Sequence, residues 1–450
     1  MSLSLLAHAL KATHHGRDAV FTGVCTDTRA LAKGDLFVAL TGPRYDGHHF
    51  LSEAIAAGAA GALLGRALDT PLPYVEVADT RRALGRFAAY WRRQFSIPVV
   101  GVTGSNGKTT VKEMIAAILA RTGPGCVTRG NLNNDLGVPL TLLRLRATDR
   151  YAVIEMGMNH LGEIEYLTDL ARPSVALITN AAEAHLAGLG SVAAVAQAKG
   201  EIFSGLAADG TAVVNADDAY CELWKRLAAP RRVLTFGLAR PADFRADYRP
   251  EGLGCALRLV TPYGEIDARL PLLGRHNVLN ALAASAAALA AGAAPADVPV
   301  GLAQLKPVSG RLELKPGVSG ARVIDDTYNA NPASVAAALE VLHEFPGERV
   351  LVLGDMGELG AAADESHRRI GELARQRGIQ RLFALGELTR HTVAAFGKHA
   401  LHFDSPEVLA DALLDCLHGE ATVLVKGSRM MRMERVVAAI VRGAPAPGGH

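Results

Sequence analysis

A short apolar run, Val100-Gly101-Val102, breaks at Thr103-Gly104-Ser105-Asn106-Gly107-Lys108-Thr109-Thr110 into a glycine-rich turn, where a lysine and two hydroxyls open a helix. No other stretch constrains the chain as strongly. A strand, a tight turn and a helix N-terminus in that order aim backbone N–H groups and a helix dipole at an anion. Lys108 can then reach the outer phosphates and Thr109 a Mg²⁺ ion. The generic P-loop would place its first glycine at position 102, which is Val102 here; the glycines are Gly101, Gly104 and Gly107. A bound nucleoside triphosphate is the expectation.

Around this turn, apolar runs alternate with amphipathic segments, the pattern of a mostly parallel sheet covered by helices. Strands are predicted at Val99 to Val102, Ala152 to Glu155, Val175 to Thr179 and Ala212 to Asn215, with helices after Lys108, Gly162 and Val192. A second α/β rhythm follows Gly310, with strands at Arg322 to Asp325, Arg349 to Leu353, Arg381 to Leu385 and Thr422 to Val425. A smaller α/β region with short β-like runs, Asp35 to Leu40, Gly61 to Leu64 and Tyr74 to Val77, precedes Pro98. At 450 residues the chain exceeds one hydrophobic core. Three domains are expected: 1–96, 97–309 and 310–450. The first cut follows Tyr90-Trp91-Arg92-Arg93, and the second falls in a Pro- and Gly-containing hinge, Leu305 to Gly310. The tail Gly443 to His450 reads as disordered.

Lys and Arg number 47 against 45 Asp and Glu, so no bulk positive charge is available for nonspecific binding of nucleic acid or anionic lipid. Five scattered cysteines without C-x-x-C spacing read as reduced thiols, and the N-terminus has no export signal; a cytoplasmic location is expected. The uncharged segment Ala281 to Ala296 is mostly alanine and contains Ser285, Gly292 and Pro295, so it reads as a soluble helix packed closely on a neighbour and not a membrane span. The 15 histidines lack the i, i+4 spacing of a zinc site, and most read as surface or turn residues.

Polar residues gather just past predicted strands, where open α/β sheets bind ligands. Glu155 ends a strand and offers hard oxygens to Mg²⁺. His185 and Lys199 also follow a strand, although neither carries a role by itself. The segment Asp325-Asp326-Thr327-Tyr328-Asn329-Ala330-Asn331-Pro332 holds more polar groups than a simple turn needs, suited to ribose, phosphate or a reacting carboxylate. Gly354-Asp355-Met356-Gly357-Glu358 and Lys426-Gly427-Ser428-Arg429 follow strands at the same expected edge.

These residues resemble the Mur ligase family, with folylpolyglutamate synthetase a more distant relative. T-G-S-N-G-K-T-T matches the family's form of the P-loop. So do Asn131 to Leu140, Glu155-Met156-Gly157, Asn180 with His185, Ala198 to Glu201, Gly274-Arg275-His276-Asn277-Val278-Leu279-Asn280 and Gly310 to Glu313, in order and spacing. The resemblance covers nearly the whole chain. D-D-T-Y-N-A-N-P is similar to the family's dipeptide-adding type, and the D-N-P-R expected of the diaminopimelate- or lysine-adding type is absent.

The resemblance implies an ATP- and Mg²⁺-dependent amide ligase that joins D-alanyl-D-alanine to UDP-N-acetylmuramoyl-tripeptide through an acyl phosphate, serving peptidoglycan synthesis as a monomer. It implies ATP contacts from Gly104, Ser105, Asn106, Gly107, Lys108, Thr109, Thr110, Asn277, Arg311 and Asp326. Metal would be held by Thr109, Glu155 and His185, with Lys108, His185 and Lys199 catalytic and Lys199 either carbamylated or a free amine. The UDP-sugar-peptide would meet Thr26, Asp27, Thr28, Arg29, Asp46, Gly47, His48 and Asn134, while Tyr328, Asn329 and Asn331 would face the dipeptide. Closure of the C-terminal domain over ATP and substrate is expected to exclude water. A GTPase switch is disfavoured because N-K-x-D is missing. A folate ligase is opposed by the N-terminal domain, and a noncatalytic module would make the set Lys108, Glu155 and His185 a coincidence.

Overall fold

The P-loop strand sits in the middle of a six-stranded parallel sheet, and the rest of the molecule is arranged about it. The computed structural model describes residues 1–441; the tail Gly443 to His450 lies outside the described residues. The N-terminal sheet contains β1 (Thr13–His15), β2 (Val24–Cys25), β3 (Leu36–Val38), β4 (Gly61–Leu64) and β5 (Tyr74–Glu76), ordered β1-β5-β4-β3-β2. The central sheet contains β6 (Val99–Thr103), β7 (Gly125–Val127), β8 (Tyr151–Glu155), β9 (Val175–Ile178), β10 (Thr211–Asn215) and β11 (Arg232–Phe236), ordered β11-β10-β9-β6-β8-β7. A three-stranded antiparallel sheet follows: β12 (Arg245–Glu251), β13 (Gly254–Thr261) and β14 (Gly264–Leu270). The C-terminal sheet contains β15 (Glu313–Pro316), β16 (Arg322–Asp326), β17 (Glu348–Gly354), β18 (Arg381–Leu385), β19 (Ala400–Phe403) and β20 (Ala421–Lys426). Its order is β15-β16-β20-β17-β18-β19, with only β15 antiparallel.

Each strand read from the sequence is a strand of the structure, within a residue or two at its ends. The antiparallel sheet was not foreseen. In β14 the inward side chains Ile266, Ala268 and Leu270 alternate with exposed ones, a period-two signal that the sequence displays. By contrast β12 is exposed along most of its length and carries Pro250, as an edge strand can.

The N-terminal and central regions share one core. Leu84 and Phe87, on the helix Thr80–Arg92, belong to the same buried cluster as Leu142, Leu145, Leu167 and Leu170 of the central region. At the end of that helix, the chain stitches the join with polar groups. Trp91 Nε1 donates to the Leu145 carbonyl at 3.1 Å. The buried Arg92 guanidinium donates to the carbonyls of Ala171 at 2.9 Å and Phe95 at 2.6 Å. The C-terminal sheet instead has its own two clusters, one on each face.

The alanine-rich segment forms the helix Arg275–Ala290, which stops before Gly292, at φ +101°, and Pro295. Among the described residues no helix is long and apolar enough to cross a membrane. The small side chains Ala281, Ala284 and Ala288 let this helix pack in one core with Val111, Ile115 and Ile118 of the P-loop helix Lys108–Leu119. Gly301 makes the same approach from the following helix. A Cβ there would lie 2.5 Å from Ile118 Cα, which is backbone and cannot rotate away. Gly301→Ala is therefore expected to destabilise the protein by about 1–3 kcal/mol, read as a lower urea midpoint; an unchanged midpoint would show that the two helices separate freely.

Candidate functional site

The phosphate cradle is braced from the strand beside it. Val102 of β6 pairs with Glu155 of β8, and Thr103 pairs with Ile178 of β9, so Glu155 and the Thr179-Asn180 turn flank the loop. Asn180 bonds to the loop three times. Its carbonyl accepts from the Ser105 N–H at 3.0 Å, its Oδ1 accepts from the Asn106 N–H at 3.0 Å, and its Nδ2 donates to the Asn106 carbonyl at 3.1 Å. Thr179 Oγ1 donates to that same carbonyl at 2.6 Å, and the Ala182 N–H donates to Ser105 Oγ at 3.0 Å. Gly104 has φ +147°, and a Cβ on it would overlap Thr179 Oγ1, so glycine is required there. Gly107 has φ +83° and faces Asn280 Oδ1. Thr109 and Thr110 lie in the first turn of the helix.

Two lysines and one carboxylate define the electrostatics of the cradle. Lys108 Nζ curls back to the Gly104 carbonyl at 2.7 Å. Burial pulls its pKa down, while the Glu155 carboxylate works in the opposite direction. Lys199 is 1% exposed and among the described residues has no anionic partner, so burial, aided by Lys108, holds its pKa well below the usual lysine range. Glu155 is 2% exposed; its Oε1 accepts from Asn133 Nδ2 at 2.8 Å, whereas its Oε2 is buried with no partner.

That orphaned hard oxygen, on the strand next to the P-loop strand, suits Mg²⁺, which takes one or two protein oxygens and completes its octahedron with phosphate and water. Of the three residues assigned to metal from the sequence, Thr109 lies in the first turn of the P-loop helix and Glu155 at the end of the neighbouring strand. His185, at φ +58°, turns its Nδ1 to 2.7 Å from Glu358 Oε2 on the C-terminal domain.

The C-terminal domain reaches the cradle through the hinge and the turn after β16. Arg311 Nη2 donates to Thr109 Oγ1 at 3.0 Å, and its guanidinium lies 4.2 Å from the Tyr328 ring centroid. Asn331 bonds in two directions: its Oδ1 caps the helix Pro332–His343 and its Nδ2 donates to Asn106 Oδ1 at 2.8 Å. It thus joins two domains, with one N–H of its amide still free to donate. Asn329 Oδ1 accepts from the Ala330 N–H at 2.9 Å. Asp326 is engaged at both oxygens, by the Leu312 N–H at 3.2 Å and Lys426 Nζ at 2.6 Å. Arg369 Nη2 donates to Glu183 Oε2 at 2.6 Å beside an interdomain cavity of about 580 Å³ lined by Ala182, Pro332, Ala333 and Ile370.

Two more assigned asparagines bond within the protein. Asn277, read as the adenine contact, donates from Nδ2 to the Leu273 carbonyl at 2.8 Å and accepts at Oδ1 from Asn280 at 3.1 Å, and Asn280 faces Gly107 of the cradle. Asn134 Oδ1 accepts from the Gly137 N–H at 2.9 Å and shapes its own loop, while the neighbouring Asn133 orients Glu155. The sequence displayed both asparagines, but only packing tells which side chain points inward.

At the N-terminal domain, Thr26 to Arg29 follow β2 and Asp46 to His48 follow β3, on the same carboxyl edge. Asp27 is bound by its own neighbour Arg29 at 2.6 Å, which lowers its pKa to about 2. Asp46 Oδ1 contacts His48 Nδ1 at 2.5 Å and Arg66 Nη1 donates to Asp46 Oδ2 at 2.9 Å. His48 Nε2 accepts from the Gly65 N–H at 2.8 Å. His48 and His367 are buried.

His276 opens the helix that carries Asn277, and burial, with Lys426 nearby, lowers its pKa to about 4. The unfolded value is near 6.5, so the neutral ring supports the fold fully above pH 6.5, and that support is lost as the pH falls toward 4. His276→Gln should remove this term. The difference in urea unfolding free energy between wild type and variant is expected to change by up to about 3 kcal/mol across that window; parallel pH curves would contradict it.

Comparisons with known proteins agree with this geometry. Residues 102–288 match the Mur ligase middle domain, residues 310–429 the Mur ligase glutamate ligase domain, and residues 20–92 the Mur ligase family catalytic domain. The chain is 46% identical to the UDP-N-acetylmuramoyl-tripeptide–D-alanyl-D-alanine ligase of Escherichia coli (strain K12), over 98% of each chain. It is 37% identical to the Bacillus subtilis (strain 168) protein of the same name, over 94% of this chain and 93% of that one. The crystal structure of MurF from Acinetobacter baumannii superposes with a TM-score of 0.91 at 36% identity, over 97% of each chain. MurF ligase from Thermotoga maritima in complex with ADP gives 0.82 at 28% identity, over 93% of this chain and 96% of that one.

Proposed function

The chain belongs to the Mur ligase family and is an ATP-dependent ligase adding D-alanyl-D-alanine to UDP-N-acetylmuramoyl-tripeptide, and we propose that its three domains divide that work. The observation that carries the proposal is the meeting of the cradle with the C-terminal domain, at Thr109 with Arg311 and Asn106 with Asn331. The central domain holds ATP along Gly104 to Thr110. The carboxyl edge of the N-terminal sheet, with Thr26 to Arg29 and Asp46 to His48, receives the UDP-sugar-peptide. The turn at Tyr328 and Asn329 presents the dipeptide amine.

The reaction brings an anionic carboxylate against an anionic γ-phosphate, so positive charge and positioning supply most of the acceleration. Lys108 and Arg311 provide that charge. Glu155 Oε2 and Thr109 Oγ1 would hold Mg²⁺, which neutralises phosphate charge when bound. The acyl phosphate then meets the dipeptide amine, and phosphate leaves. Further closure of the C-terminal domain protects the acyl phosphate from water. Lys199, a poorly solvated amine beside Lys108, would give that lysine an anionic partner as a carbamate. A ¹³C carbamate NMR signal in ¹³C-bicarbonate, absent in Lys199→Ala, is the expected outcome; no signal in wild type would leave Lys199 as the free amine.

Phosphate release should require ATP, UDP-N-acetylmuramoyl-tripeptide and the dipeptide together. Lys108→Ala should lower kcat by about a hundredfold or more, with binding of the UDP-substrate by calorimetry unchanged; retained turnover would remove Lys108 from catalysis. A cytoplasmic monomer is the proposed state, and a solution mass of twice the 47.2 kDa chain would oppose it.

A further inference from the structure

Lys426 ends the central strand of the C-terminal sheet, in register with Asp326 on β16. Its side chain is 3% exposed, yet its ammonium has two polar partners. Nζ donates to Asp326 Oδ2 at 2.6 Å and to the Asn329 carbonyl at 2.8 Å, so one ammonium holds both ends of the turn Asp326 to Asn329. Asp326 in turn accepts from the Leu312 N–H at 3.2 Å through its other oxygen. Leu312 has φ +51°, a left-handed conformation that leucine adopts only when held. The Tyr328 N–H closes the loop onto the Gly310 carbonyl at 3.1 Å. Between those two fixed points stands Arg311, stacked on Tyr328 and bonded to Thr109.

We propose that Lys426 is a positioning residue of the ligase site, fixing Arg311 against the phosphate cradle and Tyr328 toward the dipeptide through its bonds to Asp326 and Asn329. The proposal rests on the assignment of Arg311 to ATP and of the Tyr328 turn to the dipeptide. Lys426 touches neither reactant. Its removal leaves Asp326 as a buried carboxylate with only the Leu312 N–H, a loss that the turn relieves by moving. A slack turn loosens two subsites at once and leaves the third, on the N-terminal domain, as it was.

The test is steady-state phosphate release by the full chain, with each of the three substrates varied in turn. Lys426→Met is expected to raise KM for D-alanyl-D-alanine and for ATP by about tenfold or more, a tenfold change being about 1.4 kcal/mol, with KM for UDP-N-acetylmuramoyl-tripeptide within about twofold. Unchanged KM values, or a fall in kcat alone that follows the folded fraction by calorimetry, would overturn it. So would equal rises for all three substrates. Should Lys426→Met not fold, Lys426→Gln, which keeps a donor for Asp326, carries the same pattern at about threefold, and flat KM values there would overturn it equally. Tyr328→Ala tests the assignment beneath the proposal. A dipeptide KM unmoved in Tyr328→Ala means that the turn is not the dipeptide subsite. A response to Tyr328→Ala without one to Lys426→Met means that only the positioning role fails.

Discussion

Asn180 holds the P-loop in shape. A row of backbone N–H groups binds phosphate only if the loop is already folded, because ordering it on binding would cost about 1–2 kcal/mol per residue. Here the ordering is part of the fold: one side chain and its carbonyl satisfy the main chain of Ser105 and Asn106, and Thr179 adds a fourth bond. The same β9 edge leaves no space for a Cβ at Gly104. The family's distinctive glycine spacing is thus a consequence of which neighbour the loop leans on.

The two domain joins differ in kind, and the difference suits a ligase with one large and one small substrate. The N-terminal and central regions share an apolar core through Leu84 and Phe87, and Arg92 is buried in the join. Sliding such a join exposes apolar surface at about 25 cal/mol per Å², so the UDP-substrate edge and the P-loop keep a fixed separation. The C-terminal domain meets the center through polar pairs, Arg311 with Thr109, Asn331 with Asn106, Arg369 with Glu183 and His185 with Glu358. Partly exposed pairs of this sort contribute little each and exchange readily with water. The C-terminal domain, to which we assign the dipeptide, is therefore the one free to move.

Much of this was legible in the chain. Val99 to Val102 before a glycine turn reads as a strand feeding a P-loop, and Glu155, His185 and the D-D-T-Y-N-A-N-P turn announced themselves by falling at or just past strand ends. What stayed hidden is pairing between distant positions. Nothing local distinguishes Asn133 from Asn134, or Asn280 from Asn277; the choice is made by which face of a loop or helix meets Glu155 or Gly107. Lys426 stood in view at a strand end, but its role depends on β20 lying beside β16, a neighbour relation set by a crossover of about a hundred residues. The antiparallel sheet escaped because the exposed edge strand β12 lacks the apolar run by which the others were recognised.

The cationic groups are held in a way that favours chemistry over stability. Lys108 donates to the Gly104 carbonyl, and Arg311 rests on a threonine hydroxyl and a tyrosine ring. All of these partners are neutral. Had either cation been locked to a carboxylate, as Lys315 is to Asp325 at 2.6 Å, delivering it to a phosphate would first require breaking a charged pair. With neutral partners, exchange for phosphate oxygen is favourable throughout, and the charge is already in place when the two anionic reactants meet. The Glu155 carboxylate, whose charge favours the protonated form of Lys108, has one oxygen occupied by Asn133 and leaves the other buried for a hard cation. The hydrogen bonds of the cations and the orphaned oxygen of Glu155 are thus open to different partners, phosphate for the first and a metal ion for the second.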